Sequence, residues 1–147
     1  MTEQCEHLPV ARLLARIEEA INGCGWAVVG TVTEDGSPYS YTVGLWRTFR
    51  HPEVLVVGLD GPIAQGVLNN VGERVRKGRR FGLGDVDGGI VEGYDVKFLV
   101  IYDEEYFSLG GAERLEPGFS AMQLVYPDAS GAFSPGYVDW QLGRGRA

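Results

Sequence analysis

Trp26-Ala27-Val28-Val29-Gly30-Thr31-Val32-Thr33-Glu34-Asp35-Gly36-Ser37-Pro38-Tyr39-Ser40-Tyr41-Thr42-Val43-Gly44-Leu45 is the stretch that decides the fold. Its first arm, Trp26 to Thr33, is dominated by Val, Thr and Trp, residues that suit a pleated, half-buried surface. Glu34 to Pro38 supplies turn chemistry, and a second β-rich arm follows. The whole reads as a hairpin. In the second arm aromatic or branched residues alternate with small ones, so Tyr39, Tyr41, Val43 and Leu45 are expected on one face and Ser40 and Thr42 on the other.

Upstream, Val10, Leu13, Leu14, Ile17, Ala20 and Ile21 recur at the spacing of an amphipathic helix, started by Pro9 and stopped by Asn22-Gly23. Downstream, Trp46 to Glu53 reads as a loop, and the unbroken apolar run Val54-Leu55-Val56-Val57 as a central strand buried on both faces. Asp60-Gly61-Pro62 then starts a second helix, with Ile63, Val67, Val71 and Val75 toward the sheet and Gly66 and Gly72 weakening it. Gly78 to Gly93 is rich in Gly and Asp and reads as a loop, broken at most by a short strand at Ile90-Val91. Val96 to Tyr102 and Ala121 to Tyr126 are further strands, with one helical turn expected at Glu104 to Ser108. The result is an α+β fold: a mainly antiparallel sheet with two principal helices on one side.

The chain of 147 residues is of single-domain size, with its core expected over about 8–133 and mobile ends at 1–7 and 134–147. Hydrophobic residues make up 44% and charged residues 22%, a globular balance rather than a disordered one. No apolar run reaches the roughly 18 residues that a membrane span requires, and the first residues lack the pattern of a secretory signal. A cytoplasmic location without a membrane partner is the expectation. In a reducing compartment Cys5 and Cys24 would remain thiols, and their spacing is not that of metal ligands. The 13 Lys and Arg against 20 Asp and Glu give a net charge of −7, which disfavours nucleic acid. Arg74, Arg76, Lys77, Arg79 and Arg80 form a local basic cluster, read chiefly as a solvated helix end and otherwise as an anion contact.

His51 is the sole histidine outside the N-terminal segment, and Pro52-Glu53 follows it directly. Imidazole titrates near neutrality, so His51 with Glu53 is a candidate acid and base; the plainer reading is a loop histidine bonded to backbone. Two such residues fall short of a metal site. Neither a nucleophile elbow nor a nucleotide-binding glycine motif is present, the glycines from 82 to 89 lacking the required context. Trp26, Trp46 and Trp140 with Tyr39 and Tyr41 are candidates for a pocket wall, although aromatics at this density usually belong to the core.

Tyr41-Thr42-Val43-Gly44-Leu45, then His51-Pro52-Glu53 and an apolar strand, resembles the bacterial family named domain of unknown function 4262. Gly25-Trp26-Ala27-Val28, Val75 to Phe81, Gln123 to Asp128 and Gly131-Ala132-Phe133 extend the resemblance over roughly 8–136 in the same order. Cys24 departs from it, since many members carry histidine before the Gly-Trp pair. The resemblance implies no reaction, but it directs attention to Tyr41, Thr42, His51, Glu53 and Asp128. A second, architectural likeness is to the flavin-reductase type of split barrel, in which a hairpin with an Asp-Gly turn leads through a loop to a Pro-started, Val-rich strand and a helix.

Together these readings lead to a small-molecule-binding domain with a flavin-type oxidoreductase role in a bacterial pathway, and flavin mononucleotide (FMN) as candidate cofactor. Tyr41 and Trp46 would stack on the ligand, Arg47 or Arg50 would meet its anionic group, Thr42 and Asp128 would bind, and His51 and Glu53 would handle protons. A homodimer is a candidate assembly. The alternatives are a cofactor-free acid and base enzyme using His51 and Glu53, and an acidic interaction or immunity-type inhibitor module that docks a basic surface.

Overall fold

In the computed structural model, which describes residues 10–32, 36–91, 93–100, 120–133, 138 and 141–142, the Trp26 to Leu45 stretch forms an antiparallel hairpin. Strand β1 (Ala27–Val32) pairs with β2 (Pro38–Val43), Ala27 lying opposite Val43 and Val32 opposite Pro38. The arm ends sooner than alternation alone suggests. Gly44 adopts φ 113°, where any Cβ would come within 2.8 Å of the Gly25 carbonyl and the Ile21 side chain. That turn ends the strand and starts a five-residue helix, α2 (Leu45–Phe49), in the segment expected to be a loop. Leu45 therefore leaves the face of Tyr39, Tyr41 and Val43 and packs on the opposite side of the sheet.

Strand β3 (Glu53–Val57) is buried along its whole length, as its apolar run requires, and pairs antiparallel with β2 and parallel with β6 (Ala121–Val125). β6 continues to β5 (Tyr94–Val100), and β5 to β4 (Val86–Val91), both antiparallel. Six strands thus form one sheet in the order β1-β2-β3-β6-β5-β4. β4 lies inside the Gly- and Asp-rich stretch read as a loop; its partner β5, not its own propensity, makes it a strand. The expected turn at Glu104 to Ser108, the turn residues Glu34 and Asp35, and Trp140 lie outside the described residues.

Helices cover both faces, not one. Ile17 and Ile21 of α1 (Val10–Cys24) pack with Tyr39, Tyr41, Val43, Leu55 and Val57. Ala64, Val67, Leu68, Val71 and Val75 of α3 (Gly61–Arg76) pack on the reverse face with Trp26, Val54, Val56, Phe81, Phe98 and Leu124. Strand alternation dictates this division, because odd and even positions of β2 and β3 point to opposite faces. In α3 the four-residue row through Val67, Val71 and Val75 is buried as read, whereas Ile63, at its start, is 56% exposed. Gly72 lets the helix approach Trp26, whose indole N–H donates to the Asn69 side chain at 2.9 Å.

At the sheet's outer edge, Asn70 and Arg74 of α3 donate to the carbonyls of Ile90 (3.1 Å) and Gly89 (2.8 Å). Within the C-terminal stretch, Gln141 is fully buried. Its side-chain amide exchanges two hydrogen bonds with the backbone of Tyr126, much as a neighbouring strand would. Among the described residues, no helix is long and apolar enough to cross a membrane.

Candidate functional site

A helix of five residues leaves nearly all its N–H groups without partners inside the helix, and Gly44 at its N-cap has no side chain to supply one. The acceptor comes from the next strand. Glu53 is 0% exposed and turns its carboxylate into the start of α2: Oε2 accepts from the backbone N–H of Gly44 (3.1 Å) and Trp46 (2.9 Å), and Oε1 from that of Leu45 (3.2 Å). The Thr42 hydroxyl donates to Oε1 at 2.7 Å and accepts from the N–H of Val54 at 2.9 Å. Each of these donors favours the carboxylate anion, and the helix N-terminus adds its positive dipole.

The other end of α2 is equally tied. The Thr48 hydroxyl donates to the Gly25 carbonyl at 2.8 Å, and the Arg80 guanidinium donates to that of Phe49 at 2.9 Å. Arg50, the C-cap, takes φ 56°, the one left-handed non-glycine backbone among the described residues. His51 is 1% exposed and sits between two fixed partners: Nδ1 lies 2.8 Å from the Pro52 carbonyl, and Nε2 accepts from the Phe81 N–H at 3.0 Å. A carbonyl can only accept and an amide N–H can only donate, so the ring is the neutral Nδ1–H tautomer. Burial lowers the His51 pKa from its ordinary value; the bond to Pro52 opposes this and the Arg80 charge adds to it.

Of the residues singled out in the sequence, the structure brings together Thr42, Glu53 and the backbone of Trp46. His51, two residues before Glu53, faces Phe81 instead. Tyr41 lies in the α1-side core beside Tyr39, their rings 6.1 Å apart, and burial followed by the Tyr39 phenol pushes its hydroxyl well above the usual phenol range. Asp128 lies beyond the far end of β6, where its carboxylate accepts from the N–H groups of Ser130 and Ala132 and shapes a turn. A five-residue strand, about 16 Å, separates that end of the sheet from Glu53. The aromatic wall divides likewise, since Trp26 belongs to the α3-side core and Tyr39 and Tyr41 to the other.

What remains accessible is the outer face of α2. Trp46 is half-buried, with the Arg50 guanidinium 5.9 Å from its ring centre, and Arg47 forms an exposed ion pair with Glu18 at 2.7 Å. Most of the basic cluster is engaged locally: Arg76 with Glu73, Arg79 with Asp87 at 3.0 Å, and Arg74 with Gly89. Sequence reasoning passed over Arg80 and Phe81 as partners of α2 and His51. They lie about 30 residues away, and no local pattern links them.

The sequence profile of the family described as a domain of unknown function (DUF4262) matches residues 20–138. No curated protein and no solved structure matches the chain. With most of its length covered, the chain belongs to that family.

Proposed function

We propose, from the geometry around α2, that this is a binding domain for a small planar anion, with FMN as the representative ligand. Trp46 provides the stacking surface, Arg50 and Arg47 meet the anionic group, and Glu53, Thr42 and His51 hold α2 in place rather than act on the ligand. The hydrogen bonds that engage Glu53 and His51 favour this positioning role over acid and base chemistry. Tyr41, buried with Tyr39, serves the core.

The observation that carries the reading is the backbone of Arg50. A left-handed conformation costs a non-glycine residue on the order of 1 kcal/mol, and glycine is the residue that such helix ends ordinarily use. Arginine at this position places a cation beside a half-exposed indole, an arrangement suited to an aromatic anion. Titration of FMN into the protein, read by flavin fluorescence, is the test. Binding should weaken at least tenfold, about 1.4 kcal/mol, in Arg50→Gly and in Trp46→Ala, while Arg50→Gly keeps or gains thermal stability. Absence of flavin quenching by the wild type, or wild-type affinity retained in either variant, overturns the reading.

A further inference from the structure

Two segments far apart in sequence are clipped together beside α2. One is the turn Arg50-His51-Pro52 between α2 and β3; the other is Arg79-Arg80-Phe81, just after α3. Arg80 reaches the Phe49 carbonyl, and the Phe81 N–H reaches His51 Nε2. The Phe81 ring meets the imidazole edge-on at 6.0 Å and stacks on Phe98 at 4.5 Å, so the clip is continuous with the core.

A neutral Nδ1–H imidazole has one place for a second proton, Nε2, and that nitrogen faces the Phe81 N–H. Protonation would set two donors against each other at 3.0 Å in a buried setting, replacing a hydrogen bond with a repulsion. The surrounding charges offer little relief. Arg50 precedes the ring, Arg80 is bonded to Phe49, and Arg79 lies over the Phe81 ring at 4.6 Å and pairs with Asp87. On β3, Glu53 is turned into the start of α2; on α2, Arg47 is paired with Glu18; on α3, Glu73 is paired with Arg76; and Asp85 accepts from the Gly82 N–H.

We propose that this junction is a proton-operated latch: a proton on His51 Nε2 expels the Phe81 N–H, releases Arg80-Phe81 from the α2–β3 turn, and loosens α2 together with Trp46 and Arg50. The direction follows from burial, which holds the folded-state protonation of His51 below the ordinary imidazole range. The latch is closed above about pH 6.5 and opens as pH falls through the lowered value. Its consequence for ligand rests on the proposed binding face of α2, from which acid would release the ligand.

The latch is tested without ligand. Amide hydrogen exchange of Phe81 and the nitrogen chemical shifts of His51 are followed by NMR from pH 8 to pH 4.5, in the wild type and in His51→Gln, whose carbonyl accepts a hydrogen bond but does not titrate. The wild type is expected to lose at least tenfold of its Phe81 protection as His51 takes up its second proton, with the Gln variant flat over the range. Phe81 protection that is independent of pH in the wild type, or that falls equally in His51→Gln, overturns the latch. If the variant does not fold, the wild type decides alone: Phe81 must open together with the His51 titration, and opening at a different pH sinks the proposal. FMN titration at pH 8, with the latch closed, judges the binding reading separately.

Discussion

A carboxylate removed from water costs several kcal/mol unless its oxygens find donors, and Glu53 finds four: the backbone N–H groups of Leu45 and Trp46 in α2, that of its N-cap Gly44, and the Thr42 hydroxyl. Glu53→Gln keeps the shape but turns an amide N–H₂ toward groups that donate. A loss of about 2–4 kcal/mol in urea unfolding is expected, because buried donors are left unmatched. Thr42→Val removes the hydroxyl that bridges Glu53 and the N–H of Val54, with an expected loss of about 1–3 kcal/mol and a milder effect for Thr42→Ser. These roles were only half legible in the sequence. Position 53 stood out as a charge at the start of an apolar strand, but its partners lie at 42 to 46, across a turn whose shape depends on Gly44. His51 was legible as a histidine bonded to loop backbone; its second partner, Phe81, was not.

At the level of elements, Gly66 and Gly72 within α3 have opposite meanings. At Gly66 an added Cβ would meet nothing within 4 Å, whereas at Gly72 it would come within 2.3 Å of the Trp26 indole. Gly66→Ala is therefore expected to raise stability by about 0.5–1 kcal/mol through helix propensity. Gly72→Ala should lower it by about 1–3 kcal/mol, since overpacking outweighs that gain; thermal unfolding of the two variants side by side reads both signs. The hairpin, α1, β3 and α3 could be read locally: α1 and α3 from apolar residues at helical spacing, the hairpin from β-rich arms around a turn, and β3 from an apolar run long enough to be buried on both faces. α2 could not, because Leu45 to Phe49 is too short to show a period and is held as a helix by residues outside it. β4, with Gly88 and Gly89 in it, is a strand by virtue of pairing with β5, and pairing is a tertiary fact.

For the whole molecule, pH couples to stability through His51. Its folded-state pKa is lowered, so the unfolded chain binds the extra proton more readily. The contribution is complete above about pH 6.5 and is lost as pH falls through the folded-state value. Urea midpoints in the wild type are expected to be level between pH 7 and 8 and to decline below 6.5, with a shallower decline in His51→Gln. The sheet itself was legible as mainly antiparallel, but its order was not, since nothing local in β3 or β6 announces that they are neighbours. Their pairing is the sole parallel one among the described strands, and the Tyr126 hydroxyl seals it by donating to the Val57 carbonyl at 2.7 Å across 69 residues. That seam gives the molecule an order of assembly. β1, β2 and β3 are joined by short connections and close cheaply, while β6 meets β3 only after the chain between Val57 and Ala121, with α3, β4 and β5 in it, has been gathered in. The β3–β6 contact should therefore be absent from the transition state for folding. Tyr126→Phe is expected to speed unfolding about fivefold in stopped-flow experiments and to leave the folding rate nearly unchanged, so that the centre of the finished sheet is the last part of it to be made.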